Sequence, residues 1–436
     1  MAGVNHPISS DGGEPADLTA DRISNLPWNV LDIILGKLPI TDAVRTSVLA
    51  KGWRYKWLSQ SEFVLDSNEF SESLDYRDDG WDSISSVVNN FLLNHSDAIK
   101  KFVLKTYCAS HYSDVYQWIH FLSKEGIEIF MLEEYGNEFF MMSSHLFSFK
   151  QLKGLFLGSC VLRIPPTFGK FNFLWELLLR DVAMSDEDLE HLIIACPALE
   201  RLTLLSIGGL NHLKISAPNL KCLLIDYGYK DINIEDGGNL VVVTVATTFL
   251  EREEEVALNW RSVIRSLSGL NSLLNLGLSG SLIRLLAADY GLDKCPLRNN
   301  SLTSLYLHCI RFESVEVFRV CLSFLSSCPN LQRLRFSVES AKGPKLILGF
   351  FKQNQGQFSF PNLRSVQMRY VSGMGSALDF IEFVGSHSPS LREVIILKDG
   401  QVDLPSARIY NICSRLRRSC PVAEIQYLAA GPNYFI

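Results

Sequence analysis

Along most of the chain, aliphatic residues recur in the pattern L-x-x-L-x-L. Copies begin at Leu152, Leu174, Leu199, Leu220, Leu240, Leu273, Leu302, Leu331, Leu363 and Leu391, with Ile, Val, Met or Phe replacing some leucines. Ile99 and Ile127 open two weaker copies upstream. Successive starts lie 20 to 33 residues apart, a spacing that marks stacked repeats. A second mark separates the pattern from chance leucines. Proline stands two residues before the opening leucine in five copies, as Pro197, Pro218, Pro329, Pro361 and Pro389.

Proline ends the preceding helix or turn, because it has no N–H to donate and pushes its predecessor towards extended geometry. The L-x-L that follows alternates as a short strand with its leucines facing inward. One repeat cannot bury that face alone, so successive strands stack in parallel. Between strands, segments 185–195 and 313–327 carry Leu189, Leu192, Ile193 and Val317, Val320, Cys321, Phe324 at helical spacing, which predicts helices on the outer side. The expected fold is an α/β solenoid that resembles irregular leucine-rich repeats.

Such an array offers a concave sheet face between the buried leucines. Alternation places Gly154, Phe156, Glu176, Leu178, Arg180, Arg201, Thr203 and Leu205 there in the early copies, then Cys222, Leu224 and Asp226. Later copies add Ser304, Tyr306, His308, Arg333, Arg335, Ser337, Ser365, Gln367 and Arg369. The early face reads as apolar and the later one as basic and polar. Tyr306, His308, Arg333, Arg335, Gln367 and Arg369 are therefore the candidate substrate contacts, with the arginines suited to carboxylate or phosphate. Ordinary solubilising charges on a strand face are the competing explanation.

Ahead of the array, residues 21–57 form an apolar cassette. Leu26-Pro27 opens it, and Leu31, Ile34, Leu35 and Leu38 follow at i, i+3, i+4, i+7, one helical stripe ended by Pro39. Thr41 and Asp42 suit the start of a second helix to about Leu49 that buries Val44 and Val48. A third short piece, 51–57, carries Trp53 and Trp57. A trihelical unit this small needs something to pack against.

Composition narrows the function. A 47% hydrophobic content fits a globular chain with a large core, and the net charge of −6 points to neither nucleic acid nor a membrane surface. Within 21–57, however, six basic residues face three acidic ones, a local +3 that suits an acidic partner. Residues 1–20 are polar and lack the apolar core of a signal peptide, and the aliphatic run 240–250 is too short to span a bilayer. The expectation is a nuclear or cytoplasmic protein that is not secreted, its first 20 residues a disordered tail. Asn94-His95-Ser96 and Asn299-Asn300-Ser301 are then chance glycosylation matches. Ten cysteines include no C-x-x-C pair, so neither zinc nor a disulfide framework is expected, and Cys160, Cys196 and Cys328 read as small buried hydrophobes. No H-E-x-x-H, G-x-S-x-G or P-loop occurs, and Gly373-Met374-Gly375 falls short of a dinucleotide fingerprint. The acidic run 251–255 reads as a solvated helix start. No metal, cofactor or catalytic residue is expected.

The cassette, LP-x3-L-x2-IL-x2-LP-x4-VRTSVL-x3-WRYKW, resembles the F-box of plant proteins. With the repeats, and with Phe360-Pro361-Asn362-Leu363, Ser388-Pro389-Ser390-Leu391 and the closing Cys420-Pro421-Val422-Ala423-Glu424-Ile425, the chain is similar to the plant F-box/FBD/LRR class. The resemblance implies an F-box over 21–60, a linker and N-terminal cap over 61–98, repeats over 99–354, and an FBD-like region over 355–436 that continues the array. It implies a non-catalytic adaptor of an SCF-type ubiquitin ligase. The F-box would bind a Skp1-like protein, and through it a cullin, while the repeats hold an unidentified protein substrate. Leu26, Pro27, Leu31, Ile34, Leu38, Pro39, Val44 and Trp53 are the implied Skp1 contacts, with Leu35, Val48 and Trp57 on the internal side. Trp28 stands where many members carry an acidic residue, and Gly52 where many carry a basic one; the glycine weakens the third helix by up to about 1 kcal/mol. Two other readings compete: a scaffold without ligase coupling, and a receptor for a small ligand or inositol phosphate at Arg333, Arg335 and Arg369.

Overall fold

The structure is a computed structural model. It describes residues 26–49, 51–67, 79–95, 98–106, 112–135, 139–226, 229–246, 260–289, 297–312, 314–338, 350, 354, 356–370, 375–398 and 406–429. Residues 1–20, expected as a disordered tail, the acidic run 251–255 and Gly373-Met374 lie outside these residues. The strands begin with β1 (Glu62–Asp66), β2 (Lys101–Thr106), β3 (Ile129–Glu134), β4 (Phe140–Met141), β5 (Gly154–Val161) and β6 (Glu176–Ala183). They continue with β7 (Arg201–Leu205), β8 (His212–Ser216), β9 (Cys222–Asp226), β10 (Asp231–Glu235), β11 (Val242–Ala246) and β12 (Asn275–Ser279). The last are β13 (Ser304–Ile310), β14 (Arg333–Val338), β15 (Ser365–Tyr370), β16 (Glu393–Lys398) and β17 (Glu424–Ala429).

One sheet runs β1-β2-β3-β5-β6-β7-β9-β11-β12-β13-β14-β15-β16-β17, with β4 joined to the far end of β5. Neighbouring strands are parallel and in register, so Leu177, Leu202, Leu223, Val243 and Leu276 form one continuous buried row. Each of the twelve repeat copies yields a strand that begins two residues after its opening Leu or Ile. Parallel strands require a return path on the outside, and repeat length decides what that path is. Copies spaced 28 residues or more apart contain a helix wherever the segment is described, such as Tyr112–Leu122, Gly280–Asp289, Val315–Ser326 and Gly375–Ser386. The two shortest copies, opening at Leu199 and Leu220, have no room for one. Their outer side is the small parallel sheet β8–β10, where Leu213, Ile215 and Ile232 are buried in place of a helix stripe. Where helices were expected over 185–195 and 313–327, they occur as Asp186–Ile194 and Val315–Ser326, each opened by a serine whose hydroxyl accepts an N–H (Ser185 from Asp188, Ser314 from Val317).

Two devices tie one repeat to the next. Asn219, Asn239, Asn330 and Asn362 stand just before an opening leucine. Each donates its amide to a carbonyl of the previous repeat (Pro197, Pro218, Asn300 and Pro329) at 2.7–2.9 Å. The second lies at the strand ends. Ser159, Asp181, Ser206 and Cys309, each seventh after an opening leucine, adopt left-handed φ of 51–53°. That conformation strains a non-glycine residue and turns its N–H out of the ladder. The next strand supplies an acceptor: Asp226 receives the Ser206 N–H, and Ser337 receives the Cys309 N–H at 2.7 Å. Asp226 and Ser337, expected on the open face, are buried for this reason.

The cassette is not a separate module, and residues 61–98 are not merely a linker. They contribute β1 and helix Asp79–Asn94, and with them an aromatic spine. Trp57 of the cassette stacks on Phe91 (6.0 Å between ring centroids), Phe91 meets Phe63 (4.8 Å), and Phe63 stacks on Phe102 (5.2 Å). Phe102 stacks on Phe130 at 5.9 Å, and Phe130 meets Phe149 at 5.3 Å. At the other end, Arg415 of helix Ser406–Ser419 forks onto Glu382 at 2.6 and 2.8 Å and also bonds Asp379, clamping helix Gly375–Ser386. Residues 355–436 therefore add three strands to the same sheet rather than starting a new domain.

Phe63 is fully buried between two rings, so Phe63→Ala is expected to cost about 3–5 kcal/mol. Hydrogen exchange should quicken together in the cassette (28–59) and in β1–β3. Faster exchange in β1–β3 with an unchanged cassette would show that the two are not one packed unit.

Candidate functional site

The cassette is built from helix α1 (Trp28–Leu35), helix α2 (Ile40–Arg45) and single 3-10 turns at Thr46–Val48, Lys51–Trp53 and Lys56–Ser59. α1 stops at Leu35, short of Pro39, because Gly36 follows and the Leu38 N–H bonds back to the Leu35 carbonyl. Pro39 precedes α2, so the first-turn N–H groups there receive no side-chain cap, and Asp42 pairs with Arg45 at 3.1 Å instead. The third piece is two 3-10 turns rather than a helix.

Placement of the expected contacts divides them. Leu31 (1% exposed) and Trp53 (4%) belong to the chain's own core together with Leu35, Ile40 and Trp57, so neither presents a surface. The i, i+4 pair Leu31 and Leu35 faces the core, and Ile34 is turned away from it. Leu26, Leu38 and Val44 are partly buried with one side against the core, whereas Pro27, Ile34 and Pro39 are exposed. Val48, expected inside, is 86% exposed: α2 has already ended, and the 3-10 turn rotates it outward. Ile33 (61%), Leu49 (69%) and Tyr55 (65%) join it outside. Periodicity did not single these three out, because it finds an apolar stripe without saying which apolar residues lie off it. Five large apolar side chains, Ile33, Ile34, Val48, Leu49 and Tyr55, are thus exposed within 23 residues of sequence.

On the open face of the sheet, three zones follow one another. In the first, cross-strand ion pairs neutralise the charges: Lys101–Glu62 (3.0 Å), Lys153–Glu128 (2.6 Å), Arg201–Glu176 (3.4 Å) and Lys221–Glu200 (2.7 Å). Glu133 is shared by Arg180 (2.7 Å) and Lys105 (3.9 Å), and Lys105 also meets Asp66 at 3.8 Å. The second zone is uncharged, with Cys222, Leu224, Thr244, Asn275 and Gly277 side by side. In the third, Tyr306, Arg335, Gln367 and Ile395 form one row, and Ser304, Arg333, Ser365 and Glu393 another. His308, Arg333 and Arg335 are exposed and Arg369 is half-buried, but Gln367 is buried and presents little surface. Tyr306 is largely covered; burial raises its phenol above the usual range, against the opposing pull of a hydrogen bond to Ser337. The six expected contacts thus fall on three adjacent strands, four of them accessible.

A family model for the F-box domain matches residues 23–65. A second, described as FBD-associated F-box protein At5g56370, LRR repeats, matches residues 115–263. Among curated proteins, the chain is similar to the F-box/FBD/LRR-repeat protein At1g13570 of Arabidopsis thaliana, 32% identical over 94% of this chain and 98% of that protein. It is also similar to F-box/LRR-repeat protein 13 of the same plant, 25% identical over 88% of this chain and 90% of the relative. F-box/FBD/LRR-repeat protein At2g26030, also from that plant, is 25% identical over 94% and 100% respectively.

Among the described residues no three His, Cys, Asp or Glu side chains group as metal ligands, and no helix is long and apolar enough to cross a membrane. Burial pushes the Cys160, Cys196 and Cys321 thiols up to about 12 and that of Cys420 up to about 11. At pH 8, a thiol with a pKa near 12 is about one part in ten thousand thiolate, the reactive form. Iodoacetamide at that pH should therefore label half-buried Cys222, Cys309 and Cys413 well before Cys160, Cys196 or Cys321, as read by peptide mass mapping. Equal labelling of the buried set in folded protein would contradict this ordering.

Proposed function

The chain belongs to the plant F-box/FBD/LRR-repeat family, and on that premise we propose that it is the substrate-recognition subunit of an SCF-type ubiquitin ligase. The observation that carries this reading is the set of exposed apolar side chains on the cassette. Ile33, Ile34, Val48, Leu49 and Tyr55 are exposed while Leu31, Leu35, Ile40, Trp53 and Trp57 of the same stretch are buried in the core shared with β1 and the repeats. Large apolar side chains left exposed in such number along one short stretch suit a protein interface. Its occupant is a Skp1-like protein, with Leu26, Pro27, Ile34, Leu38, Pro39 and Val44 at the contact together with Val48, Leu49 and Tyr55. Leu31 and Trp53 support it from beneath. A cullin joins through the Skp1-like protein.

The chain itself catalyses nothing. Its contribution is effective concentration: a substrate held on the sheet face, within the repeats and the FBD-like region 355–436, stays close to a ubiquitin-carrying enzyme recruited at the cassette. Cysteines kept as free thiols suit a cytosolic or nuclear setting.

The reading separates two kinds of substitution. Ile34→Asp with Val48→Asp alters exposed positions, so it should leave the unfolding midpoint nearly unchanged and abolish capture of a Skp1-like protein in a pull-down. Leu31→Asp should also lose capture, but through unfolding, because an unpaired carboxylate in that core costs more than about 3 kcal/mol. If the intact chain captures no Skp1-like protein, the adaptor reading fails, and a scaffold without ligase coupling takes its place.

A further inference from the structure

The open face of the sheet treats charge differently at its two ends. Over β1–β9 every cation of the ladder described above meets a carboxylate on a neighbouring strand, so that zone is self-neutralised. On β14 the pattern breaks. Arg333 and Arg335 are exposed and make no ion pair among the described residues. Their neighbours in the two rows are Ser304 and Tyr306 on one side and Ser365 and Gln367 on the other. Arg369 stands one strand over, at the level of Ser337, and two further arginines, Arg364 and Arg392, are exposed just ahead of β15 and β16. Solubility alone does not ask for Arg333 and Arg335 to stand unpaired on one strand when the cations of the first zone are matched.

The spacing of the group defines what fits it. Arg333 and Arg335 are two residues apart on a strand and so project on the same side, about 6.6 Å from each other. Arg369 adds a third cation one level further along and one strand across. Side chains at positions i, i+2 and i+4 of an extended peptide repeat at the same interval. Towards β16 and β17, Glu393 and exposed Glu424 continue the Arg333 row with negative charge, which repels an acidic ligand there and confines it sideways to β14–β15.

We propose that this face of β14–β15 is the docking site for an extended substrate segment with carboxylates at alternate positions, lying along the strands with two of them on Arg333 and Arg335. The inference rests on the adaptor reading for its biological sense, but its geometry is independent of the cassette. A compact polyanion would use the same arginines without regard to an alternating register, and this makes the two occupants separable.

The test uses the full chain bound to a Skp1-like protein and measures fluorescence anisotropy of a labelled peptide with Asp at alternate positions. A peptide of the same composition with its Asp residues contiguous is the comparison, and tripolyphosphate is the competitor. The alternating peptide should bind more tightly than the contiguous one, and its affinity should fall with added salt. Because exposed charge pairs are individually weak, reversal of both Arg333→Glu and Arg335→Glu is expected to lower affinity by at least about tenfold. The Arg333→Lys/Arg335→Lys pair should retain most of it, and Lys221→Glu on the neutralised zone should leave it unchanged. Unfolding midpoints of all variants should match, since every change is on the surface. Unaltered binding in the double reversal would overturn the proposal. So would equal affinity for the two peptides together with tripolyphosphate displacing both, which would assign the arginines to a small anion. Capture of the Skp1-like protein, measured on the same samples, keeps the two readings apart. An intact chain that captures the Skp1-like protein but does not bind the alternating peptide refutes only the docking site, whereas Ile34→Asp with Val48→Asp should lose capture and keep the peptide.

Discussion

A strand with one leucine face and two open edges has no stable existence by itself, and the whole molecule follows from that. Each repeat covers the leucines of the one before it and leaves its own edge for the next. Growth by this rule has no natural end, so the two ends need their own solutions. At the N-terminal end the cassette lies against β1, where Leu38, Pro39 and Ile40 come up to Glu62 and Val64 across a shared cleft. At the C-terminal end, helix Ser406–Ser419 packs on β17 and is held to its neighbouring helix by the fork from Arg415 to Glu382 and Asp379. The cassette is thus as much a part of the array's stability as a docking module.

Most of this order was legible in the chain. The opening Leu or Ile of each of the twelve copies located a strand to the residue, because a parallel strand buried on one face imposes a strict period on its sequence. β1 and β17 were missed because an end strand has one neighbour and need not carry the full buried pattern: residues 424–428 of β17 include no buried position. Phe63 and Leu65 alone carry the inward face of β1. The outer layer over the short repeats was not legible either. Leu213 and Ile215 alternate as strand residues do, but only the shortness of the repeat shows that a helix has no room there.

The cassette illustrates a different limit. Its apolar stripe was read correctly as a stripe, but a sequence does not reveal which neighbour each apolar residue meets. Leu31 and Trp53 are covered because Trp57, Phe91 and β1 close the core from a direction that no local pattern encodes. Val48 is uncovered because one helix ended three residues before it. On the sheet face, Asp226 and Ser337 alternated outward as expected and yet are buried, each satisfying an N–H that a left-handed residue on the preceding strand had turned out of line. The demand for their burial came from the neighbouring repeat.

The aromatic spine from Trp57 to Phe149 gives the repeat number a meaning beyond stability. With the cassette packed into the first strands, the interval between it and any point on the sheet is measured in strands. From β1 to β14 there are ten steps, about 48 Å along the sheet at the usual strand separation. The array then works as a ruler whose unit is one repeat. A relative that gained or lost a repeat between these points would carry its cargo about 5 Å nearer to or farther from the cassette, with no change in either surface.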